Sequence, residues 1–401
     1  MMESTEPANL FQSSTNKTFE ESFFIWGQEN LRKSLLFRDK NVSFSKTLFR
    51  KLAKSNLFRI ALPQKMGGLG LSLREEVYAM RGLAKGSLDL PFCLSALAHN
   101  IGIKALIKKG SSSQCANYLN SALSGECLMG IANSEETGGT DIKSIQSKLE
   151  LERLGDEYGI LSVHKNCASN VSDSDLILTS VWKHANGAKP SMEVMLLDRK
   201  QIVQTPLNDS LIGFRTGQTG SLSTIGTIKV RIKEVQLGPD LVGYTILKLM
   251  FNLDRLFVST MVAGMLEGVL ELALKHLSER SSFQKPLADY QYMQQKVVDI
   301  YTAHLKLWGI LHSIIHSSAG PLAVEDLSLF TDELSVLKIS AIEDGLNACI
   351  SFFEIFGYRS YMKDSVSAKL LEDILAFKFL GGSKEQQKIL LFDSIYKKRL
   401  T

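Results

Sequence analysis

His312 and His316 stand four residues apart, the spacing that presents two imidazoles on one helix face as a metal-ligand pair. A hydrolytic metal helix also needs a glutamate directly after the first histidine. Ser313 holds that place, and no acidic residue lies within the segment. The pair reads as an ordinary helix face, and no metal site is expected from the seven histidines. The five cysteines (Cys93, Cys115, Cys127, Cys167 and Cys349) are scattered, odd in number and free of CxxC spacing. That argues against a disulfide framework and a zinc site, and fits a reducing compartment. A Ser-His-Asp arrangement cannot be argued from spacing either. Met250 and Phe251 read as core.

The elements that must position any chemistry change period twice along the chain. From about Thr18 to Cys127 apolar residues recur at helical spacing, as in Leu48, Leu52 and Leu57, and again in Leu94, Leu97, Ile101 and Ala105. Between these runs, Pro63 to Gly70 is rich in turn residues, its glycines allowing positive φ and tight reversals. The middle region alternates with a period of two. Leu149 and Leu151 alternate with Lys148 and Glu150, and Ile228, Val230 and Ile232 with Lys229, Arg231 and Lys233. Gly155-Asp156 predicts a turn before Tyr158 to Val163, and Leu176–Leu178 and Val194–Leu197 predict inner strands. A sandwich or barrel is the natural closure. Helical spacing returns from about Gly243. Asp254 to Leu277 is apolar on most faces, and further helices are expected near Asp289–His312 and Thr331–Phe356, the last stopped by Gly357.

A chain of 401 residues suggests two or three domains. Its 46 basic and 42 acidic residues are mixed along the chain, which gives no nucleic-acid footprint. Met1 to Asn16 holds Glu3 and Glu6 and reads as neither a signal nor a transit peptide. No apolar run is expected to reach the roughly 20 residues of a membrane span. These features lead to the expectation of a cytoplasmic protein without nucleic-acid or membrane partners.

Three segments carry a family resemblance. Gly130 to Asp141, reading GIANSEETGGTD, resembles the acyl-CoA dehydrogenase signature A-x-[ST]-E-P-x-A-G-S-D. Arg280 to Leu287 followed by Gln291 resembles that family's R-x-x-F-G-x-P-L…Q, and Leu57 to Gly70 its L-F-G-I-x-x-P…G-G-x-G. The resemblance spans roughly residues 45–395 and implies an α+β fold. An N-terminal helical domain would cover 1–127, a middle β-barrel or sandwich domain 128–240, and a C-terminal helical bundle 241–401. It also implies FAD and an acyl thioester on CoA or an acyl carrier protein, in a homodimer or homotetramer that shares FAD across subunits. Ser134 would line the flavin with its hydroxyl, and Gly138, Gly139 and Thr140 would admit the pantetheine arm. Arg280 would meet the pyrophosphate of a neighbouring subunit's FAD, with Phe283 and Gln291 packed beside the cofactor. Each residue also has a plainer reading: Thr140 a turn hydroxyl, Arg280 a helix-end charge, Phe283 core.

The chain departs from the pattern at four places. The family's usual base, a glutamate before Gly-Thr, corresponds to Gly381 in Phe379-Leu380-Gly381-Gly382-Ser383, and glycine cannot abstract a proton. A minority resembling isovaleryl-CoA dehydrogenase carries the base within L-E-R-L, which corresponds to Leu253-Asp254-Arg255-Leu256. Asp254 is then either a base one methylene short or a first-turn carboxylate, the latter worth ~0.3–1 kcal/mol to a helix. Arg255 is either the family arginine near the thioester or a surface charge. Cys167 takes the place of the flavin-side tryptophan, although Ser169 keeps the following hydroxyl. Finally, Glu354-Ile355-Phe356-Gly357-Tyr358 replaces Q-x-x-G-G, keeping Gly357 but setting a carboxylate where a neutral side chain meets phosphate. At about 4 Å and an effective dielectric near 20 such a pair costs roughly 4 kcal/mol. Three functions stay open: dehydrogenation of an acyl thioester in biosynthetic metabolism, a degenerate non-redox relative that binds a thioester or a partner, and another flavin reaction such as oxygenation or cyclisation. The electron acceptor, the acyl chain and the pathway are not legible.

Overall fold

Residues 16–139, 141–317 and 320–400 are described in a computed structural model. Among the described residues six helices come first: α1 (Asn16–Asn30), α2 (Leu35–Lys40), α3 (Lys46–Lys54), α4 (Leu73–Ser87), α5 (Leu90–Lys109) and α6 (Ser112–Leu123). Their starts follow from capping chemistry. Ser45 accepts from Leu48 N–H, Asp89 from Phe92 N–H, and Ser72 with Glu75 and Ser111 with Gln114 form reciprocal capping boxes. The helices α1 and α4 touch backbone to backbone, since a Cβ on Gly82 or Gly86 would stand 2.1 Å from the carbonyl oxygen of Glu20 or Phe24. In the Pro63–Gly70 stretch, Gly67 and Gly70 adopt the positive φ its composition predicts.

Nine strands follow: β1 (Met129–Ala132), β2 (Lys148–Arg153), β3 (Tyr158–Ser162), β4 (His164–Ala168), β5 (Leu176–Asn186), β6 (Ser191–Asp198), β7 (Ile202–Pro206), β8 (Gly220–Thr224) and β9 (Ile228–Arg231). The expected alternation holds in β2, where Leu149 and Leu151 face inward. It fails at Ile232, which leaves the sheet to begin the short helix α7 (Ile232–Val235). A six-stranded mixed sheet and a three-stranded sheet (β4-β8-β7) close over one apolar core that includes Leu149, Leu161, Ile177, Val181, Met195 and Leu222. The long strand β5 organises the larger sheet. Along one edge it pairs with β6. Its other edge is divided, with β1 parallel to Leu176–Thr179 and β2 parallel to Trp182–Asn186. The chain between β1 and β2 is thereby expelled from the sheet as a loop.

The last part holds α8 (Gly243–Glu279), a small hairpin of β10 (Ser281–Ser282) and β11 (Lys285–Pro286), α9 (Gln291–Ile315), α10 (Thr331–Ile355), α11 (Val366–Ala376) and α12 (Lys384–Leu400). The α8 helix packs against α9 and α10 on one side and α4 and α5 on the other, so both helical parts share one core. This corrects the expectation about apolar runs: α5 and α8 are each long and apolar enough to cross a membrane. In the fold 94% and 78% of their apolar windows are buried, which is the environment an all-round apolar helix needs.

Candidate active site

The loop between β1 and β2 carries the first group of motif residues, and both of its ends are sewn to β5. Ser180 N–H donates to Asn133 Oδ1 and Trp182 N–H to Ser147 O. Within the loop Glu135 is the organiser. Its carboxylate accepts from Gln146 N–H at 2.6 Å, Ser147 N–H at 3.1 Å and Lys165 Nζ at 2.6 Å. Burial alone would raise Glu135, but these donors outweigh it and hold the carboxyl below its ordinary range. Buried Lys165 is pushed down to about 8 by desolvation, against the pull of Glu135. Gly138 closes the turn on Glu135, and a Cβ there would lie 2.4 Å from Ser144 Oγ. Its smallness therefore serves the loop's own closure. Gly139 is exposed beside Ser134, whereas Thr140 lies outside the described residues.

Ser169 is bridged to Ile131 of β1 by two backbone hydrogen bonds, and Asn166 N–H donates to Ser134 O. Ser134 and Ser169 thus share one rim of the β part. Both are half-buried, and neither hydroxyl bonds to another of the described residues. Cys167 sits on the same rim, exposed and at φ 49°, where the pairing of β4 with β8 slips between Lys165 and Ala168.

The second group lies on α8. Because the helix begins at Gly243, Asp254 is about three turns inside it, which removes the first-turn reading. Asp254 is half-buried as a residue, yet its Oδ2 has no water-accessible surface and no hydrogen-bond partner. What covers it is the turn at Gly381. A Cβ built on that glycine would stand 1.8 Å from Asp254 Oδ2, and Gly381 has φ 62°. The glycine that replaces the usual base and the aspartate at the alternative position therefore occupy one place, approached from two elements. Burial raises Asp254, opposed by Lys338 and Arg255. Arg255 is 8% exposed with a buried, unpartnered Nε, so the surface-charge reading is wrong. Lys338 on α10 is fully buried, donates to Phe377 O at 3.2 Å, and is pushed down to about 8 by desolvation against the pull of Asp254. Next in the same turn, a Cβ on Gly382 would meet Gln387 Nε2 at 2.8 Å, and both amide atoms of buried Gln387 lack partners.

The third group sits at the opposite end of α8. Arg280 caps that helix about 26 residues beyond Asp254, about 39 Å of helical rise away. It is exposed, and Phe283 on the following hairpin is 88% exposed at positive φ, which overturns its core reading. Gln291, which opens α9, and Gly357 are exposed as well. His276, one turn before Arg280, stacks on Phe356 with ring centroids 4.2 Å apart, which brings Gly357 to the same tip. Desolvation, then Arg359 and Arg280, lower that histidine. Glu354 ion-pairs with Lys296 of α9 rather than with Arg359. No sequence pattern couples those two positions, since the pairing depends on how α9 and α10 align.

Two family models match, "Acyl-CoA dehydrogenase, N-terminal domain" over residues 14–126 and "Acyl-CoA dehydrogenase, C-terminal domain" over 242–396. The chain belongs to the acyl-CoA dehydrogenase family. It is 23% identical over 394 residues to mitochondrial isovaleryl-CoA dehydrogenase of Solanum tuberosum, covering 98% of this chain and 93% of that one. The fold matches the prolyl acyl carrier protein oxidase AnaB at a TM-score of 0.85 and 20% identity, covering 96% and 99% of the two chains. It also matches PigA, solved with FAD and proline, at 0.84 and 17%, covering 96% and 98%.

Acyl-CoA dehydrogenases are FAD-binding flavoproteins that oxidise acyl thioesters. The residues present in this member fit that group. Two unpartnered hydroxyls share the β rim, and the repulsion expected from Glu354 is met by Lys296. The residue that motif matching passed over is Lys338. Its signal was a cation in an apolar helical repeat, since Leu334, Leu337, Ala341 and Gly345 on the same stripe are all buried.

Proposed function

We propose that this chain dehydrogenates the Cα–Cβ bond of an acyl thioester with bound FAD, and that Asp254 takes the α-proton. The observation that supports this most is Asp254 Oδ2, shielded from water, free of hydrogen bonds and seated against Gly381. A desolvated carboxylate with no donor bound to it is a stronger base than one in water, which is what removal of a weakly acidic α-proton needs. FAD, when bound, supplies the acceptor for the hydride leaving the β-carbon. Ser134 and Ser169 would hold the flavin edge through their hydroxyls, and exposed Gly139 would let the pantetheine arm pass close to the backbone. Arg255, buried beside Asp254, would face the thioester.

Arg280 lies about 39 Å of helical rise from the base, too far to join the same flavin contacts, and Phe283, Gln291 and Gly357 stand with it at that tip. We assign them to the cofactor of a second copy, in a homodimer or homotetramer. The acyl group rides on CoA or on a carrier protein, and the likeness to a carrier-protein oxidase supports the second. A biosynthetic setting accords with the altered base and pyrophosphate positions.

The test is spectroscopic. Purified protein should carry a flavin spectrum that an acyl thioester bleaches without oxygen, with one acyl group presented on CoA and on carrier protein in parallel. Protein that stays colourless after incubation with FAD would end the proposal. Stoichiometric flavin that no thioester bleaches would move it to a different flavin reaction.

A further inference from the structure

The proposed base lies in a place that should neutralise it. Taking a carboxylate out of water without hydrogen bonds costs several kcal/mol, and the usual outcome is protonation. A protonated aspartate cannot act as a base, so something must favour the charged form. Among the described residues, the charges acting on Asp254 are Lys338, from the helix packed across from it, and Arg255, on its own helix. The Phe377–Gly382 segment that closes over it meets Asp254 through Gly381, and its one charged residue, Lys378, is not among the charges acting on the carboxylate.

Lys338 differs from a surface cation in three ways. Its side chain is fully buried, so solvent does not screen its charge. Its one hydrogen bond among the described residues goes to Phe377 O, at the head of the segment that carries Gly381. And no hydrogen bond or ion pair joins it to Asp254 directly, so its charge reaches the carboxylate through space and leaves Oδ2 free for a proton. A lysine in contact with Oδ2 would occupy the lone pair that the reaction needs.

We infer that Lys338 is a positioning residue for the base: its buried ammonium offsets part of the cost of ionising Asp254, and its bond to Phe377 O holds the Gly381 turn over the carboxylate. This inference rests on the reading of Asp254 as base. Lys338 touches neither acyl group nor flavin and takes no proton from substrate.

The experiment compares Lys338→Met, which keeps the volume and drops the charge, with Lys338→Arg, which keeps the charge. The pH dependence of anaerobic flavin bleaching by an acyl thioester is one readout. The titration of the Asp254 carboxyl by 13C NMR, assigned with Asp254→Asn, is another that needs neither flavin nor substrate. Without Lys338 the carboxyl midpoint and the acid limb of the bleaching profile should both move to higher pH by about 1 unit or more. Bleaching near neutral pH should slow roughly tenfold and recover at higher pH, whereas Lys338→Arg should keep the midpoint near that of the unaltered chain. A midpoint that does not move in Lys338→Met overturns the inference. If Lys338→Met does not fold, Lys338→Gln takes its place under the same criterion. Failure of the base reading looks different: Asp254→Asn would then bleach normally, whatever Lys338 does.

Discussion

The two ends of α8 are opposites. Near its start, Asp254 Oδ2 is shielded from water beneath the Gly381 turn, beside a fully buried lysine and a buried arginine. At its finish, Arg280, Phe283, Gln291 and Gly357 stand in solvent on a hairpin and helix tip. The difference teaches how one helix can serve two sites. The end proposed to hold the base is completed by the chain's own α10 and the Phe377–Gly382 turn, where burial would tune a proton-transfer group. The far end offers an exposed aromatic ring and an exposed guanidinium, as the proposal that they meet a cofactor held by another copy requires.

The largest expected effect comes from the buried end. Asp254→Asn should lower the rate of flavin bleaching about 10²–10⁴-fold, the range of a lost general base, with flavin content unchanged. The same variant carries a stability signature. A carboxyl raised in the folded state binds protons there more readily than in the unfolded chain, so its contribution falls as pH rises through the raised value. Denaturant titrations from pH 5 to 8 should therefore show the variant gaining on the unaltered chain as pH increases. Equal stability at every pH would mean that Asp254 is not desolvated.

Gly381→Ala should be nearly as damaging. Its new methyl would overlap Asp254 Oδ2 in a backbone conformation that alanine adopts poorly, and displacement of the base by about 1 Å can cost roughly 10²-fold in rate. Bleaching kinetics, with circular dichroism to confirm folding, decide it. Normal kinetics would separate the two places that the structure merges.

At the exposed end, Arg280→Ala and Phe283→Ala should each weaken FAD binding about tenfold, one lost charge-assisted or stacking contact, while unfolding shifts by no more than about 0.5 kcal/mol. Flavin titration at several protein concentrations checks this. Unchanged affinity would place the tip outside the cofactor site. The effect expected to leave activity untouched belongs to Gln387→Leu, which replaces two buried unpartnered atoms and should raise stability by about 1 kcal/mol in urea.

Much of this was readable in one dimension. The alternation of Leu149 and Leu151 and the apolar runs of α5 and α8 follow from local periodicity, whereas the segment from Ser134 to Gly139 was singled out by its likeness to a family motif. The motif comparison also singled out Asp254 once Gly381 was seen to lack a carboxylate. Other features were misread for a physical reason. Phe283 reads as core because it is large and apolar, yet the positive φ of its hairpin turns it outward. Ile232 continues an alternating pattern, but the sheet ends before it and a helix begins.

By itself, the amino-acid sequence determined most of the segments that become helix, strand and turn, which are properties of near neighbours along the chain, and its motifs supplied a family resemblance that nominated side chains for a thioester and a flavin. Only the tertiary structure decided that Gly381 and Asp254 share one place, that Lys338 is buried across from them, that Lys296 answers Glu354, and that β5 divides its edge to expel the Ser134 loop. Each depends on how separate elements align when they pack, and on water leaving the space between them, which no local pattern records.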